Sequence, residues 1–315
     1  MSTVLITGGT GLTGTVLTKA LLEKNYSVII LTRSIKEDAM PATGLRYALW
    51  DIKNRSIDKN AIAEADHVIH LAGAGVADKR WTHKRKKEIV DSRVKSSELL
   101  VKALKEIPNK VKTVISASGI GWYGQDLTPG PSPRGEGSRF IETDPASDDF
   151  LGQTCKQWEE SLEPVEHLGK RLVKFRTGIV LSKEGGTLKE FERPLKFGIA
   201  TILGTGKQIT SWIHIDDLVR MYMLAIENQN IKGVYNAVAP YPVSNKKLVL
   251  TLAEEKKGKF FVPVYVPSLV LKMVLGEMSI EVLKSATVSN KKIHEAGFVF
   301  QYPSIEAAFK NLYAD

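Results

Sequence analysis

Apolar residues in the first part of the chain fall in short continuous runs separated by segments with helical spacing. Val4, Leu5 and Ile6 form one run, and Val16, Leu17, Ala20, Leu21 and Leu22 then recur as the buried stripe of an amphipathic helix. Residues 26–33 are apolar almost throughout and end in a charge, the pattern of a strand covered on both faces of a parallel sheet. Further strands are predicted at 45–50, with Asp51 after it, at 65–74, at 111–118 and at 172–181. Helical segments lie between them, one carrying Ile89, Val90, Val94, Leu99, Leu100 and Leu104, another running from 150 to about 168. Strand and helix in alternation predict an α/β architecture, a Rossmann-type doubly wound parallel sheet with right-handed crossovers. Beyond Ser182 the alternation weakens into short runs, scattered glycines and Pro194, Pro240, Pro242, Pro263, Pro267 and Pro303. Residues 1–181, which carry the glycine-rich segment 7–14 between the first strand and the first helix, are therefore read as the nucleotide-binding domain. Residues 182–315 are read as a smaller C-terminal substrate lobe, interleaved with the first through some later segments.

Composition narrows the class. A chain of 315 residues, 43% hydrophobic and 25% charged, can bury a large core and is globular in type. No stretch approaches the length of a membrane span and the chain opens directly into a strand, so a cytoplasmic protein without a membrane partner is expected. Cys155 is the single cysteine, which excludes an internal disulfide and a cysteine-built metal site. His67, His70, His83 and His214 have no metal-ligand spacing, so no metal is expected. The net charge of +9 points weakly to a phosphate-rich ligand. The most basic run, 79–87, opens an amphipathic helix and is read as its solvated face in preference to a nucleic-acid patch.

The chemistry centres on Thr7-Gly8-Gly9-Thr10-Gly11-Leu12-Thr13-Gly14, between the first strand and the first helix. Glycines at 8, 11 and 14 permit a sharp turn, close approach of a pyrophosphate to helix N-terminal amides, and tight packing of helix on strand. Gly8, Thr10, Gly11, Leu12, Thr13 and Gly14 are the candidate phosphate-binding residues. A cofactor with a free ribose 2′-hydroxyl ordinarily meets an acid about 20 residues further on. Here Thr32, Arg33 and Ser34 hold that place and no acid follows until Glu37, so Arg33 and Ser34 suit a 2′-phosphate and NADP(H) is preferred over NAD(H). An exposed strand-end arginine is the plainer alternative. Asp51 and the small-residue end of the fourth strand, Leu71, Ala72 and Gly73, complete this side of the cofactor site.

Together with this turn, the segments at 66–72, 116–124, 176–181, 212–218 and 235–237 resemble the extended short-chain dehydrogenase/reductases, largely sugar-nucleotide epimerases and dehydratases. Trp81, the segments at 88–93, 116–118, 155–159 and 212–214, Gly185-Gly186 and the final 296–303 narrow this. They look like an atypical subgroup, the uncharacterised NAD(P)-binding epimerase family proteins, over almost the whole chain. The wider family uses an Asn, Ser, Tyr and Lys tetrad, with Tyr and Lys four apart on one helix face. Aligning Glu159 with the family's usual acid puts Leu151 at the Tyr position and Cys155 at the Lys position. A shift of one brings in Lys156 with Gly152 as its partner, and the dyad is missing either way. The Asn position falls near Arg93, which could contact the cofactor with Glu88 in support or merely form a structural salt bridge with it. Cys155 is read as a small residue packing beside the nicotinamide end.

Ser118 survives from the tetrad, and Tyr123 is a possible proton donor as well as a packing residue. His214 with Asp216 and Asp217 resembles a supported base but also a lobe-joining segment. Glu142 and Asp144, on a covering loop over 125–149, either bind substrate hydroxyls or are solvated. The chain is accordingly read as an NADP(H)-binding oxidoreductase or nucleotide-sugar-epimerase-like protein acting on an unidentified small molecule. The alternative is a non-catalytic NADP(H) sensor.

Overall fold

A computed structural model of the protein describes residues 2–35, 42–125 and 139–314. In chain order, β1 (Thr3–Thr7), α1 (Leu12–Glu23), β2 (Ser27–Thr32), β3 (Leu45–Asp51), β4 (Ser56–Ile57) and α2 (Lys59–Glu64) form the first half of a nucleotide-binding unit. The second half comprises β5 (His67–His70), α3 (His83–Glu106), β6 (Thr113–Gly119), α4 (Phe150–Glu160), α5 (Pro164–His167) and β7 (Arg171–Thr177). The C-terminal part begins with β8 (Ile179–Leu181), α6 (Thr187–Leu195), β9 (Ile199–Leu203), β10 (Ile209–Thr210), β11 (Trp212–His214) and α7 (Ile215–Glu227). It ends with β12 (Gly233–Ala237), β13 (Val243–Ser244), α8 (Asn245–Lys257), β14 (Val262–Val266), α9 (Ser268–Leu275), α10 (Ser279–Leu283), α11 (Lys291–Glu295) and α12 (Ile305–Tyr313).

The main sheet has the order β12-β7-β6-β5-β1-β2-β3-β4, parallel throughout except for β4, which pairs antiparallel with β3. The chain leaves β1 toward β2 and β3, then returns to β5 on the other side. The carboxyl ends of β1 and β5 thus form the switch point at which such sheets bind ligands. Both sheet faces are packed: Val4, Ile6, Val28 and Ile30 belong to one core, Leu5, Ile29 and Leu31 to the other. This is why these strands are apolar at every position instead of alternating.

Two predicted elements are divided. The helix from 150 to about 168 breaks into α4 and α5 at Pro164, which lacks the N–H to continue α4 and instead sits in the first turn of α5. The run 172–181 divides at Gly178, where a Cβ would lie 2.7 Å from the Ser211 carbonyl oxygen, and β8 turns aside to pair in parallel with β11. Past this point a separate core gathers Leu181, Leu188, Trp212, Leu248 and Phe309. α7 packs on α1, and β12 returns to the main sheet beside β7. Among the described residues no helix is long and apolar enough to cross a membrane.

Candidate functional site

The glycine turn leaves the start of α1 open. Gly11 is the N-cap, has no side chain to bond the leading amides, and donates its own N–H to Gly8 O at 3.0 Å. Gly8 has φ +70°, and a Cβ there would lie 2.8 Å from Leu71 C and O. A Cβ on Gly14 would lie 2.5 Å from Gly8 O, so the helix sits directly on the turn. Thr10 and Gly11 are exposed, Leu12 and Thr13 half-buried. Uncapped amides at the positive end of a helix dipole, with no side chain over them, fit the pyrophosphate of a dinucleotide. The loop before α6 closes on the same place, for a Cβ on Gly186 would be 3.2 Å from Leu12 Cδ2.

At the end of β2, Arg33 and Ser34 are exposed, and Arg33 has no hydrogen bond or ion pair among the described residues. Thr32 Oγ1 donates to Ser34 O at 2.9 Å and shapes this corner. Glu37, and 126–138 of the covering loop, lie outside the described residues. Asp51 is engaged in a turn: it accepts the amides of Lys53 and Asn54 and the Asn54 side chain, and the Asn54 contacts hold its carboxyl below the ordinary range.

The end of β5 is braced from within. Thr7 Oγ1 accepts from Leu71 N and Ala72 N, each at 3.2 Å, which leaves its proton for His70 Nδ1 at 2.7 Å. His70 Nε2 then donates to Ser97 Oγ at 3.1 Å, and burial pushes the imidazole down to about 3. Gly73 lies under Arg93: a Cβ would be 3.1 Å from the guanidinium carbon. Arg93 donates through Nη1 to Ala74 O and Ile89 O, and lies 5.0 Å from the Trp158 ring centroid.

The pairing of Glu88 with Arg93 is not formed. Five residues place them on different helix faces, and Glu88 instead meets Arg85, three residues back, at 2.8 Å. Arg85 itself is 7% exposed and donates to Gly75 O, while Lys86 pairs with Glu277 beyond α9. The basic run at 79–87 is therefore only in part a solvated face, since it also ties the β5 loop and the C-terminal lobe to α3.

Where β6 ends, polar groups are committed to one another. Ser118 Oγ donates to Glu159 Oε1 at 2.7 Å, and Arg176 clasps the same carboxylate through Nε at 2.8 Å and Nη2 at 3.0 Å. Arg176 Nη1 also donates to Tyr123 Oη, and the guanidinium lies 3.5 Å from the Trp122 ring centroid. Tyr123 is wholly buried, stacks on Phe140 and donates to Asn236 Oδ1 at 2.7 Å; burial pushes its phenol up to about 12. The packing alternative for Tyr123 is the one the geometry favours.

α4 presents Leu151 and Cys155 to this same strand end. A Cβ on Gly121 would be 3.1 Å from Leu151 Cβ, and one on Gly119 would be 3.7 Å from Cys155 Sγ. Lys156 faces away, half-exposed and 3.9 Å from Glu160, and Gly152 is wedged against Ser147 O. The register therefore sets Leu151 and Cys155, not Gly152 and Lys156, toward β6. Burial pushes the Cys155 thiol up to about 11, which keeps it un-ionised.

The remaining candidates have structural duties. His214 caps α7, its Nδ1 accepting Asp216 N at 3.1 Å, and Asp217 accepts the amides of Gln301 and Tyr302, each at 2.9 Å, fastening the C-terminal segment. Glu142 accepts Asn236 N, and Asp144 accepts Ile141 N. Glu159, Arg176, Asn236 and Arg85 were not singled out from sequence as members of this site. Arg176 shares strand 171–177 with Arg171, Lys174 and Thr177, so a charge there did not stand out from the sequence.

This cradle and sheet order define an NAD(P)-binding Rossmann fold of the short-chain dehydrogenase/reductase type. Residues 4–148 match the NAD dependent epimerase/dehydratase family, and residues 266–312 match a domain of unknown function. The chain is 35% identical to an epimerase family protein of Staphylococcus saprophyticus over 312 residues, 99% of each chain. It is 34% identical to the epimerase family protein YfhF of Bacillus subtilis over 313 residues, 99% of this chain and 98% of the other. The chain belongs to the epimerase family proteins, an atypical group of short-chain dehydrogenase/reductases. A crystal structure of the human epimerase family protein SDR39U1 with NADPH superposes with a TM-score of 0.85 at 28% identity, covering 99% of both chains. UDP-glucuronic acid 4-epimerase from Bacillus cereus, with UDP-glucuronic acid and NAD, shares the fold alone, with a TM-score of 0.79 at 21% identity over 99% of this chain and 98% of that one.

Proposed function

We propose that this protein binds NADP(H) in preference to NAD(H) and acts as an oxidoreductase or epimerase-like enzyme on an unidentified small molecule in the cytoplasm. The observation that carries the reading is the open N-terminus of α1 above Gly8 and Gly14. Arg33, exposed and without a partner among the described residues, supports the 2′-phosphate, and the NADPH held by the human relative agrees with it. A bound nicotinamide supplies or accepts hydride. Arg93, Leu151 and Cys155 frame that end of the cleft, and residues 182–315 contribute most of the substrate side. Ser118 hydrogen-bonds Glu159 and so helps hold the end of β6 in place.

Titration with NADPH and NADH, followed by tryptophan fluorescence, tests this. Arg33→Ala is expected to weaken NADPH by about 10- to 100-fold, the worth of a charge-assisted contact, and NADH by less than about threefold. Equal loss for both refutes the preference, and no NADPH binding by the unaltered protein refutes the reading itself. One observation favours the sensor as a second reading: Leu151 and Cys155 occupy the face from which a proton would be delivered. NADPH consumption with a carbonyl panel, guided by mass spectrometry of whatever co-purifies, supports an enzyme. Tight binding without consumption supports the sensor.

A further inference from the structure

β9 and β14 pair in parallel, Ile199 opposite Val262 and Thr201 opposite Val264. Because alternate residues share a face, these four side chains point opposite to Ala200 and Ile202, which are buried in the C-terminal core. The outer face is uncovered. Ile199 is 39% exposed and Val262 63%. At the end of this face Phe197 and Phe260 are 84% and 86% exposed. They are brought together by the Val262 N–H donating to Gly198 O at 2.8 Å. Lys196 precedes one phenylalanine, and Lys257 and Lys259 precede the other. None of the three lysines has an ion pair among the described residues. The neighbouring acids Glu190 and Glu192 are paired with Arg193 and Lys256, while Glu254 and Glu255 lie about a turn further back on α8.

We propose that this tip docks on the anionic headgroups of a lipid bilayer, with Phe197 and Phe260 entering the interface and Lys196, Lys257 and Lys259 meeting lipid phosphates. Aromatic side chains standing in water beside unpaired ammonium groups are the elements of interfacial binding. A second copy of the chain fits less well. It would set the same lysines against each other in a protein of net charge +9, and strand addition at the open edge of β14 meets Pro263, which has no N–H to offer. The proposal reverses the sequence expectation that no membrane is involved. It is also independent of the cofactor reading, because the tip lies outside the cradle.

The test is co-sedimentation of the full chain with vesicles of phosphatidylglycerol and phosphatidylcholine, against phosphatidylcholine alone, with sedimentation velocity in parallel. The protein is expected to bind the anionic vesicles and to leave them as salt is raised. Phe197→Ser with Phe260→Ser should lower partitioning by about tenfold or more. Lys257→Glu with Lys259→Glu should lower it at least about 25-fold, near fivefold for each lysine removed. Phe197, Phe260 and Lys259 are exposed and Lys257 is half-buried at the end of α8, and both variants should keep the circular dichroism spectrum and the NADPH titration of the parent. Equal binding to both vesicle types, none to either, or variants that bind like the parent overturns the proposal. So does a dimer that the phenylalanine variant dissociates.

Discussion

Replacing Glu159 by Gln tests the buried cluster at the end of β6. Three donors converge on this carboxylate: Ser118 Oγ and Arg176 Nε on one oxygen, Arg176 Nη2 on the other. A glutamine keeps one acceptor oxygen and turns the other into an NH2 group facing a guanidinium N–H. It also removes the negative charge from Arg176, whose side chain is 3% exposed, and from Lys174 Nζ at 3.9 Å. Leaving a buried charge without its partner costs about 3–5 kcal/mol, a large share of the roughly 5–15 kcal/mol that holds a domain folded. Urea unfolding at pH 7 should show the midpoint falling while the slope stays constant. Because the penalty arises from the stranded arginine and not from lost attraction, the double variant Glu159→Met with Arg176→Met should be more stable than Glu159→Met alone, and the cycle of parent, two single variants and double variant should give a coupling of about 2 kcal/mol or more. A cost for Glu159→Gln below about 1 kcal/mol at unchanged slope would refute the reasoning.

Gly14→Ala places a Cβ 2.5 Å from Gly8 O, so the turn must shift, and the NADPH titration should show binding lost or weakened by about 100-fold or more in protein that still unfolds cooperatively. Tyr123→Phe deletes the hydrogen bond to Asn236 in the core and should cost about 1–2 kcal/mol in urea unfolding while leaving NADPH affinity unchanged; a loss of affinity would contradict the packing role of Tyr123. His70 is lowered from 6.5 to about 3, so its stabilising contribution is whole above pH 6.5 and is lost as pH falls toward 3, about 2 kcal/mol of it by pH 5. His214, lowered to about 4 chiefly by burial, acts in the same direction. Unfolding measured at pH 7, 6 and 5 should therefore show a shallower loss for His70→Gln than for the parent, and parallel curves would contradict the assignment.

The nucleotide half of the fold was legible because its determinants are local. A glycine without room for a Cβ, a strand buried on both faces and a helix stripe each leave their mark within a dozen residues, and β1, α1, β2 and β6 stand close to where the pattern put them. Gly178 and Pro164 also left marks, but reading them required knowing that Ser211 O crowds one and that α5 begins at the other. The site was less legible because its chemistry depends on whether a polar group is already engaged. Ser118 and Tyr123 are residue types that can give a proton, and sequence spacing brought both to the end of β6. Their partners, Glu159 and Asn236, come from 41 and 113 residues away, and those partners engage both hydroxyls as donors within the core. The same holds in reverse at the surface. Ile199 and Val262 have the composition of core residues, and only the pairing of β9 with β14 shows that Ala200 and Ile202 take the covered face while these two are left in water. A residue type states what a side chain can do, and the long-range pairing decides whether it is free to do it. At the end of β6, Leu151 and Cys155 hold the face of α4 while Ser118 and Tyr123 spend their protons on internal bonds. Enzyme and sensor therefore differ there by whether a substrate brings its own proton donor, which is what NADPH consumption with a chemically varied panel measures.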